Sequence, residues 1–165
     1  MWQTEIERKF LVLNDGWKGR AQGVAYRQGY VARTQNRTVR IRIAGGKGVL
    51  NIKFRGEGIA RSEFEYPVPL EEAEAMLASI SPAEIIEKTR YTFEDCGSRW
   101  EVDEFHGANE GLVVAEIELG SERQEFKRPA WLGREISHVS RYFNAELSRQ
   151  PYSRWSEEEK GNAGA

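Results

Sequence analysis

Glu5-Ile6-Glu7-Arg8-Lys9-Phe10 sets the reading of the whole chain. A β-strand sends alternate side chains to opposite faces, so a period of two places Glu5, Glu7 and Lys9 together on one face. The same habit recurs along the sequence. In Val39-Arg40-Ile41-Arg42-Ile43, the two arginines share a face and β-branched residues occupy the other. Leu50-Asn51-Ile52-Lys53-Phe54 isolates Lys53 among apolar neighbours, and Arg61-Ser62-Glu63-Phe64-Glu65-Tyr66 repeats the device. So do Lys88-Thr89-Arg90-Tyr91-Thr92-Phe93, Trp100-Glu101-Val102-Asp103 and Val114-Ala115-Glu116-Ile117-Glu118-Leu119. With a further strand through Tyr26 to Ala32, the count reaches about eight, the number at which a sheet can close around a small interior.

Between the strands, Gly45-Gly46-Lys47-Gly48 and Gly56-Glu57-Gly58 read as hairpin loops, where glycine supplies positive φ. The first of these is not a phosphate-binding P-loop, because the full spacing and the Ser or Thr after the lysine are missing. Two segments read as helices. Leu70 to Ile80 follows Pro69, carries glutamates in its first turn and spaces Leu70, Ala73, Leu77 and Ile80 helically. Ser137 is the expected cap of a second helix, with Val139, Tyr142, Phe143 and Leu147 as its apolar stripe. Pro129-Ala130-Trp131 reads as a connector. The expected organisation is one domain over residues 1–152, followed by a polar, disordered tail over 153–165.

At 165 residues, 39% hydrophobic and 30% charged, the composition is that of a globular protein with one core. A net charge of −2 argues against a general nucleic-acid binder. No apolar run approaches the roughly 20 residues of a membrane helix, and the N-terminus lacks a signal-peptide pattern, so the expected compartment is the cytoplasm. The lone Cys96 excludes an intramolecular disulfide. His106 and His138 are isolated, and no Ser–His–Asp or Cys–His arrangement is evident, which favours direct attack by water over a covalent intermediate.

Period two does not say which face of the sheet is inside. One arrangement is a barrel with an oily centre and solvated charges. The other turns the charges into a tunnel and buries the apolar face under helices, loops and a partner copy, so a homodimer is a possible assembly. Segregation of sign by strand, as Glu-x-Glu, Glu-x-Asp, Arg-x-Arg and Lys-x-Arg, leans toward the tunnel. On that face lie eight acids, Glu5, Glu7, Glu63, Glu65, Glu101, Asp103, Glu116 and Glu118. Seven bases accompany them: Lys9, Arg40, Arg42, Lys53, Arg61, Lys88 and Arg90. The sum is near neutral. Two divalent cations would bring it to about +3, which a short polyphosphate carrying roughly −1 or more per phosphate would offset.

The opening Glu5-x-Glu7-x-Lys9 resembles the signature of the CYTH family, the triphosphate tunnel metalloenzymes. In the family's order there follow Arg40-x-Arg42, Lys53, Glu63-x-Glu65, Glu87-Lys88-Thr89-Arg90-Tyr91, Asp103 and Glu116-x-Glu118. Arg27-Gln28-Gly29-Tyr30 and the late Pro-Ala-Trp segment are similar to compact bacterial members. The likeness covers about residues 4 to 148. It implies an α+β, mostly β fold: an eight-stranded antiparallel closed barrel, the triphosphate tunnel, with flanking helices. It also implies binding of a small triphosphate with Mg²⁺ or Mn²⁺.

In that frame Glu5, Glu7, Glu116 and Glu118 are the expected metal ligands, since these hard ions prefer oxygen. A Glu-x-Glu pair sets two carboxylates about 7 Å apart at Cα on one face. Glu63, Glu65 and Asp103 are expected as further ligands or to orient metal-bound water, with ion pairing to neighbouring bases as the plainer role. Lys9, Arg40, Arg42, Lys53, Lys88 and Arg90 are the phosphate grip, through bidentate arginine contacts and compact lysine charges. Lys88 is also a candidate for proton transfer. Arg61 and Glu101 share the inward parity but read as structural pairing, and Arg141 either closes one end of the tunnel or lies on the surface. The expected reaction is hydrolysis of a short linear polyphosphate by water, with two ions assisting. Alternatives are a class IV adenylate cyclase, a thiamine triphosphatase, a polyphosphate or nucleotide-binding module without catalysis, and a salt-laced structural β-protein.

Overall fold

A computed structural model describes residues 2–161. Nine strands form one antiparallel sheet: β1 (Trp2–Val12), β2 (Val24–Arg33), β3 (Arg37–Ala44), β4 (Lys47–Arg55), β5 (Ala60–Val68), β6 (Ile86–Asp95), β7 (Ser98–Phe105), β8 (Val113–Glu118) and β9 (Leu132–Glu135). Their order is β5-β4-β3-β2-β6-β7-β8-β1-β9, and an extra β5–β1 pairing closes the first eight into a barrel. β1 is the seam. Its Glu7–Leu11 stretch pairs with β8, while Trp2–Ile6 pairs with β5, and β9 pairs with Phe10 and Val12 where β5 has ended. The eight strands expected from alternation are all present, and the short β9 is an addition to them.

The turns follow the glycines. At the β3–β4 hairpin Gly45 and Gly46 take φ of 53° and 74°, the two positive values that a two-residue turn matched to strand twist requires. Helix α1 (Leu70–Ala78) starts directly after Pro69, and its buried Ala73 and Leu77 pack with Ile41 over the outside of β3 and β4.

The charged face is inside. The outer faces of β1, β6, β7 and β8 carry Phe10, Phe93, Trp100, Val102, Ala115 and Ile117, which are buried beneath Trp17, Phe126 and Trp131 from the connecting segments and Leu132 at the start of β9. Rings of Trp100 and Trp131 meet edge to face at 5.5 Å between centroids, as do Phe10 and Trp100 at 6.0 Å. Loops rather than helices therefore cover this side. On the β4–β5 side Phe54 and Tyr66 remain exposed.

Two expectations about the C-terminal region change. The second helix is not one continuous helix: a single 3₁₀ turn at Ser140–Tyr142 precedes α2 (Asn144–Leu147). Ser137 caps nothing there, because its hydroxyl accepts from the Lys9 amide (2.9 Å) and donates to Glu135 (2.7 Å). Tyr142 and Leu147 are buried as the stripe suggested, but Phe143 turns the other way, its ring 5.8 Å from the Lys9 ammonium. Nor is the tail disordered at Ser153. Tyr152–Arg154 forms a 3₁₀ turn, Trp155 is buried against Tyr142 and Tyr152, and α3 (Glu157–Gly161) follows. A buried indole removes a large apolar area from water, so Trp155 anchors the segment. Residues 162–165 lie outside the described ones.

These C-terminal residues plug one part of the barrel. The inward parity switches from charged to apolar there: Leu11, Ile86, Phe105 and Val114 continue the rows begun by Lys9, Lys88, Asp103 and Glu116. They join Ile136, Tyr142, Leu147 and Trp155 in a single cluster.

Candidate active site in the tunnel

The rows of inward side chains converge on a cavity of about 600 Å³. Glu5, Glu7, Lys9, Arg40, Arg42, Lys53, Glu63, Glu65, Lys88, Arg90, Glu116 and Glu118 all line it, with Glu101 beside them. Asp103 lies just behind, fully buried under Lys88 and Arg90. Arg141 does not belong to the site. It is exposed, contacts Glu159 and lies over Trp155. Arg61 opens onto a second cavity and donates to the Gly58 and Ala60 carbonyls, whereas Glu101 pairs with Arg90 as expected.

Ion pairs knit the walls. Lys53 reaches Glu5 at 2.6 Å and Glu63 at 3.5 Å, and Lys9 reaches Glu116 at 2.9 Å and Glu7 at 3.2 Å. Lys88 holds Asp103 at 2.6 Å, and Arg90 grips the same carboxylate through Nε and Nη2, both at 2.7 Å. Burial would raise the Asp103 carboxyl, but these two cations hold it below its usual range. Glu116 is likewise held well below, by Lys9, Arg90 and Lys88 against the effect of burial. Glu5 goes the other way. Burial, then the neighbouring Glu7 charge, raises it to about 7 despite Lys53. Lys88 is lowered to about 8, chiefly by burial and with help from Arg90, although Asp103 opposes this.

Not every cation is matched. Arg40 is 9% exposed, forms no ion pair among the described residues, and its Nε lacks a hydrogen-bond partner. The Nε of Arg42 is also unpartnered, although that guanidinium contacts Glu65 at 3.1 Å. A buried charge without a partner is expensive, so two inward arginines with idle donors call for an anion between them.

Uncharged residues complete the lining. Asn51 donates to Glu63 (2.5 Å) and Glu65 (3.1 Å), fixing both carboxylates from the next strand. Asn144 on α2 accepts from Gln28 at 2.8 Å and from Lys88 at 3.3 Å. The Tyr26 ring lies 5.3 Å from both Arg42 and Arg90 and 5.8 Å from Lys88. Its face offers all three cations a cation–π contact, which offsets part of their mutual repulsion. Charge alternation gave no notice of these residues, although Asn51 shares the parity of Lys53 and Tyr26 that of Gln28.

The acids fit a divalent metal in a particular way. Glu7 stands directly opposite Glu118, and Glu101 opposite Glu116, across neighbouring strands. Like charges so placed destabilise a sheet unless a cation joins them. Yet among the described residues no three carboxylates or imidazoles already form a ready-made ion site. Lysine and arginine draw the carboxylates aside. This suits a hard divalent ion held by one or two carboxylates together with waters and the phosphates of a substrate.

Similarity to known proteins agrees with this geometry. The CYTH domain model matches residues 3–151. The chain is 47% identical over 153 residues to an inorganic triphosphatase of Acetivibrio thermocellus, covering 93% of this chain and 98% of that one. It is 36% identical over 149 residues to an inorganic triphosphatase of Nitrosomonas europaea, covering 88% and 97% respectively. A crystal structure of an inorganic triphosphatase superposes with a TM-score of 0.65 at 33% identity, over 87% of this chain and 93% of the other. With a closed eight-stranded barrel, an inward charged face and a family match over nearly its whole length, the chain belongs to the CYTH domain family.

Proposed function

We propose that this protein is an inorganic triphosphatase, hydrolysing tripolyphosphate to diphosphate and orthophosphate inside the tunnel. The observation that carries the reading is the pair of inward arginines, Arg40 and Arg42, with idle donors in a cavity otherwise knitted by ion pairs. A linear triphosphate supplies the missing acceptors. Lys9, Arg40, Arg42, Lys53, Lys88 and Arg90 grip its oxygens and stabilise charge that develops on the leaving diphosphate. Glu5, Glu7, Glu116 and Glu118 would hold two ions of Mg²⁺ or Mn²⁺, which would supply charge neutralisation and a lowered pKa for the attacking water.

Glu63 and Glu65, on the strand that pairs with the Glu5 end of β1 and held by Asn51, orient that water and hold Lys53 and Arg42 in place. Asp103 fixes Lys88 and Arg90 in register and touches the reaction through them. Water attacks the terminal phosphorus, the bond to the bridging oxygen breaks, and one proton is released. Lys88, lowered to about 8, is mainly the phosphate-binding ammonium near neutral pH, and its minor neutral fraction is a candidate to take that proton.

The test is phosphate release by purified protein from tripolyphosphate, diphosphate, thiamine triphosphate and ATP, each with Mg²⁺ or Mn²⁺. The expected result is metal-dependent turnover with the highest kcat/KM on tripolyphosphate. No metal-dependent release from any triphosphate, or a cyclic nucleotide as the main product from ATP, would overturn it. Normal turnover in both Glu5→Gln and Glu118→Gln would reject the metal assignment.

A further inference from the structure

The tunnel has a second opening, a cavity of about 390 Å³ that shares Glu7, Lys9, Arg40, Lys53 and Asn144 with the first. It lies where the apolar plug leaves the barrel end uncovered, between residues 138–146, the β2–β3 turn and the β4–β5 loop. Its charge differs from that of the main cavity. The main cavity is lined by seven acids and seven bases. Around the second opening, Lys9, Arg40 and Lys53 at the waist and Arg37, Arg55 and Arg61 at the rim face only Glu7 and Glu146.

The rim arginines are also placed against the ordinary rule for sheets. Arg55 and Arg61 are direct partners in the β4–β5 register, so two like charges face each other across adjacent strands. Across its other edge Arg61 is the register partner of Glu5 on β1, but Lys53 already holds that carboxylate at 2.6 Å. Arg61 donates to backbone carbonyls alone, at 2.9 Å to Ala60 and 3.3 Å to Gly58. Among the described residues, none of Arg37, Arg55 and Arg61 forms an ion pair. A solvated hairpin end needs no such opposition, and one acidic replacement would relieve it. An anion seated between the two guanidinium groups relieves it as well.

We propose that this second opening is an anion site of its own, where Arg55 and Arg61 take one phosphoryl group that lies past the waist of the tunnel. Two sources share that chemistry: the distal phosphate of a chain longer than three, and the orthophosphate product on its way out. The turnover tests below rest on the triphosphatase reading; the binding test does not.

The experiment compares wild type, Arg55→Gln/Arg61→Gln and the charge-keeping Arg55→Lys/Arg61→Lys. KM is measured for tripolyphosphate and tetrapolyphosphate, together with inhibition by orthophosphate. A rise in the tetrapolyphosphate KM of about five-fold relative to that for tripolyphosphate, the scale of one lost charge-assisted contact, assigns the site to the longer chain. An unchanged KM ratio with an orthophosphate Ki raised about five-fold assigns it to the product. Either effect should be largely restored by the lysine pair. If the ratio and the Ki both stay put, or if all three constants rise equally as from a general loss of positive field, the site is overturned. Should wild type hydrolyse no tripolyphosphate, only the functional reading falls. Calorimetric titration of orthophosphate into wild type and the glutamine pair then decides, and equal affinities overturn the site. Thermal melts, and the single Arg55→Gln at an exposed position, separate these outcomes from misfolding.

Discussion

Glu5→Gln should make the metal-free protein more stable at pH 8 while disabling it. The Glu5 carboxyl is raised from 4.5 to about 7, by burial first and the Glu7 charge second. Its side chain is 14% exposed, so solvent screens little of this. The sign is that of a raised carboxyl. The folded state binds the proton more tightly than the unfolded chain, so the penalty is absent below 4.5, grows as pH climbs to 7, and is fully present above that. Raising the carboxyl from 4.5 to about 7 corresponds to about 3 kcal/mol at most. The 2.6 Å contact from Lys53 is already contained in that figure, which is an upper limit because the wall relaxes around a charge it disfavours. A net gain of about 1–2 kcal/mol is therefore expected, or roughly 2–8 °C in Tm for a chain of this size.

The assay is a pair of thermal melts, wild type and Glu5→Gln, in chelator at pH 5 and pH 8. At pH 5, where Glu5 in the folded protein is already largely protonated, the two proteins should differ little, and at pH 8 they should separate with the variant higher. Adding Mg²⁺ and a slowly hydrolysed triphosphate analogue should then raise wild type more than the variant, because ligand bound only to the folded state stabilises it. Triphosphatase activity of the variant should fall at least about 100-fold, since even outer partners of a metal site are worth 10- to 100-fold. A variant less stable than wild type at pH 8, or a Tm difference independent of pH, would refute the electrostatic account of this wall.

Three further outcomes follow from the same contacts. Asp103→Ala leaves Lys88 and Arg90 buried without their shared carboxylate, which should cost about 3–5 kcal/mol; a Tm drop smaller than about 3 °C would show the pair is not buried as described. Lys88→Arg should flatten the pH dependence of KM between about pH 7 and 9, because wild type loses its ammonium near 8 and arginine does not; parallel profiles in steady-state assays would count against Lys88 as a phosphate ligand. Glu135→Ala removes the two-pronged contact to Arg8 (2.8 and 2.5 Å) on the outer face, and should cost at most about 1 kcal/mol with kcat unchanged, so a large fall in kcat would contradict its outward placement.

Much of this barrel is written in its alternation. Every strand that carries charged residues at i and i+2 is a strand of the sheet, and the turns fall at the glycines between them. The inside was not legible, because period two is symmetric and Ile117 reads equally well as core or as cover. What decides it is long-range: Trp17 and Trp131, from segments with no periodicity, fold across the outer face and bury it. The C-terminal region failed for a related reason. Val139, Tyr142 and Leu147 do belong to one apolar cluster, but they are knobs of a plug rather than the stripe of a helix, and Phe143 is free to face Lys9. The charged residues that line the cavity could be found because their pattern is their signal. Asn144 could not, since its role depends on Gln28 and Lys88, at sequence separations of 116 and 56.

The same ion pairs explain how so charged an interior can fold without ligand and still bind one. Acids and bases in the main cavity are equal in number, and nearly every acid has a base within reach, so the empty tunnel is not self-repelling. Each of those contacts is also a competitor. Lys9 held by Glu116, or Lys53 held by Glu5, is not available to phosphate, and the carboxylates so held are not available to metal. A bare triphosphate would free bases only by stranding acids, and a bare cation would do the reverse. Arriving together they exchange partners at little net electrostatic cost, cation to carboxylate and phosphate to lysine or arginine. Metal and triphosphate should therefore bind with positive coupling, each raising the affinity for the other by the same factor. Calorimetry with Mg²⁺ alone, non-hydrolysed triphosphate analogue alone, and each in the presence of the other measures that factor, and a value near one would mean the wall of ion pairs stays closed when the substrate enters.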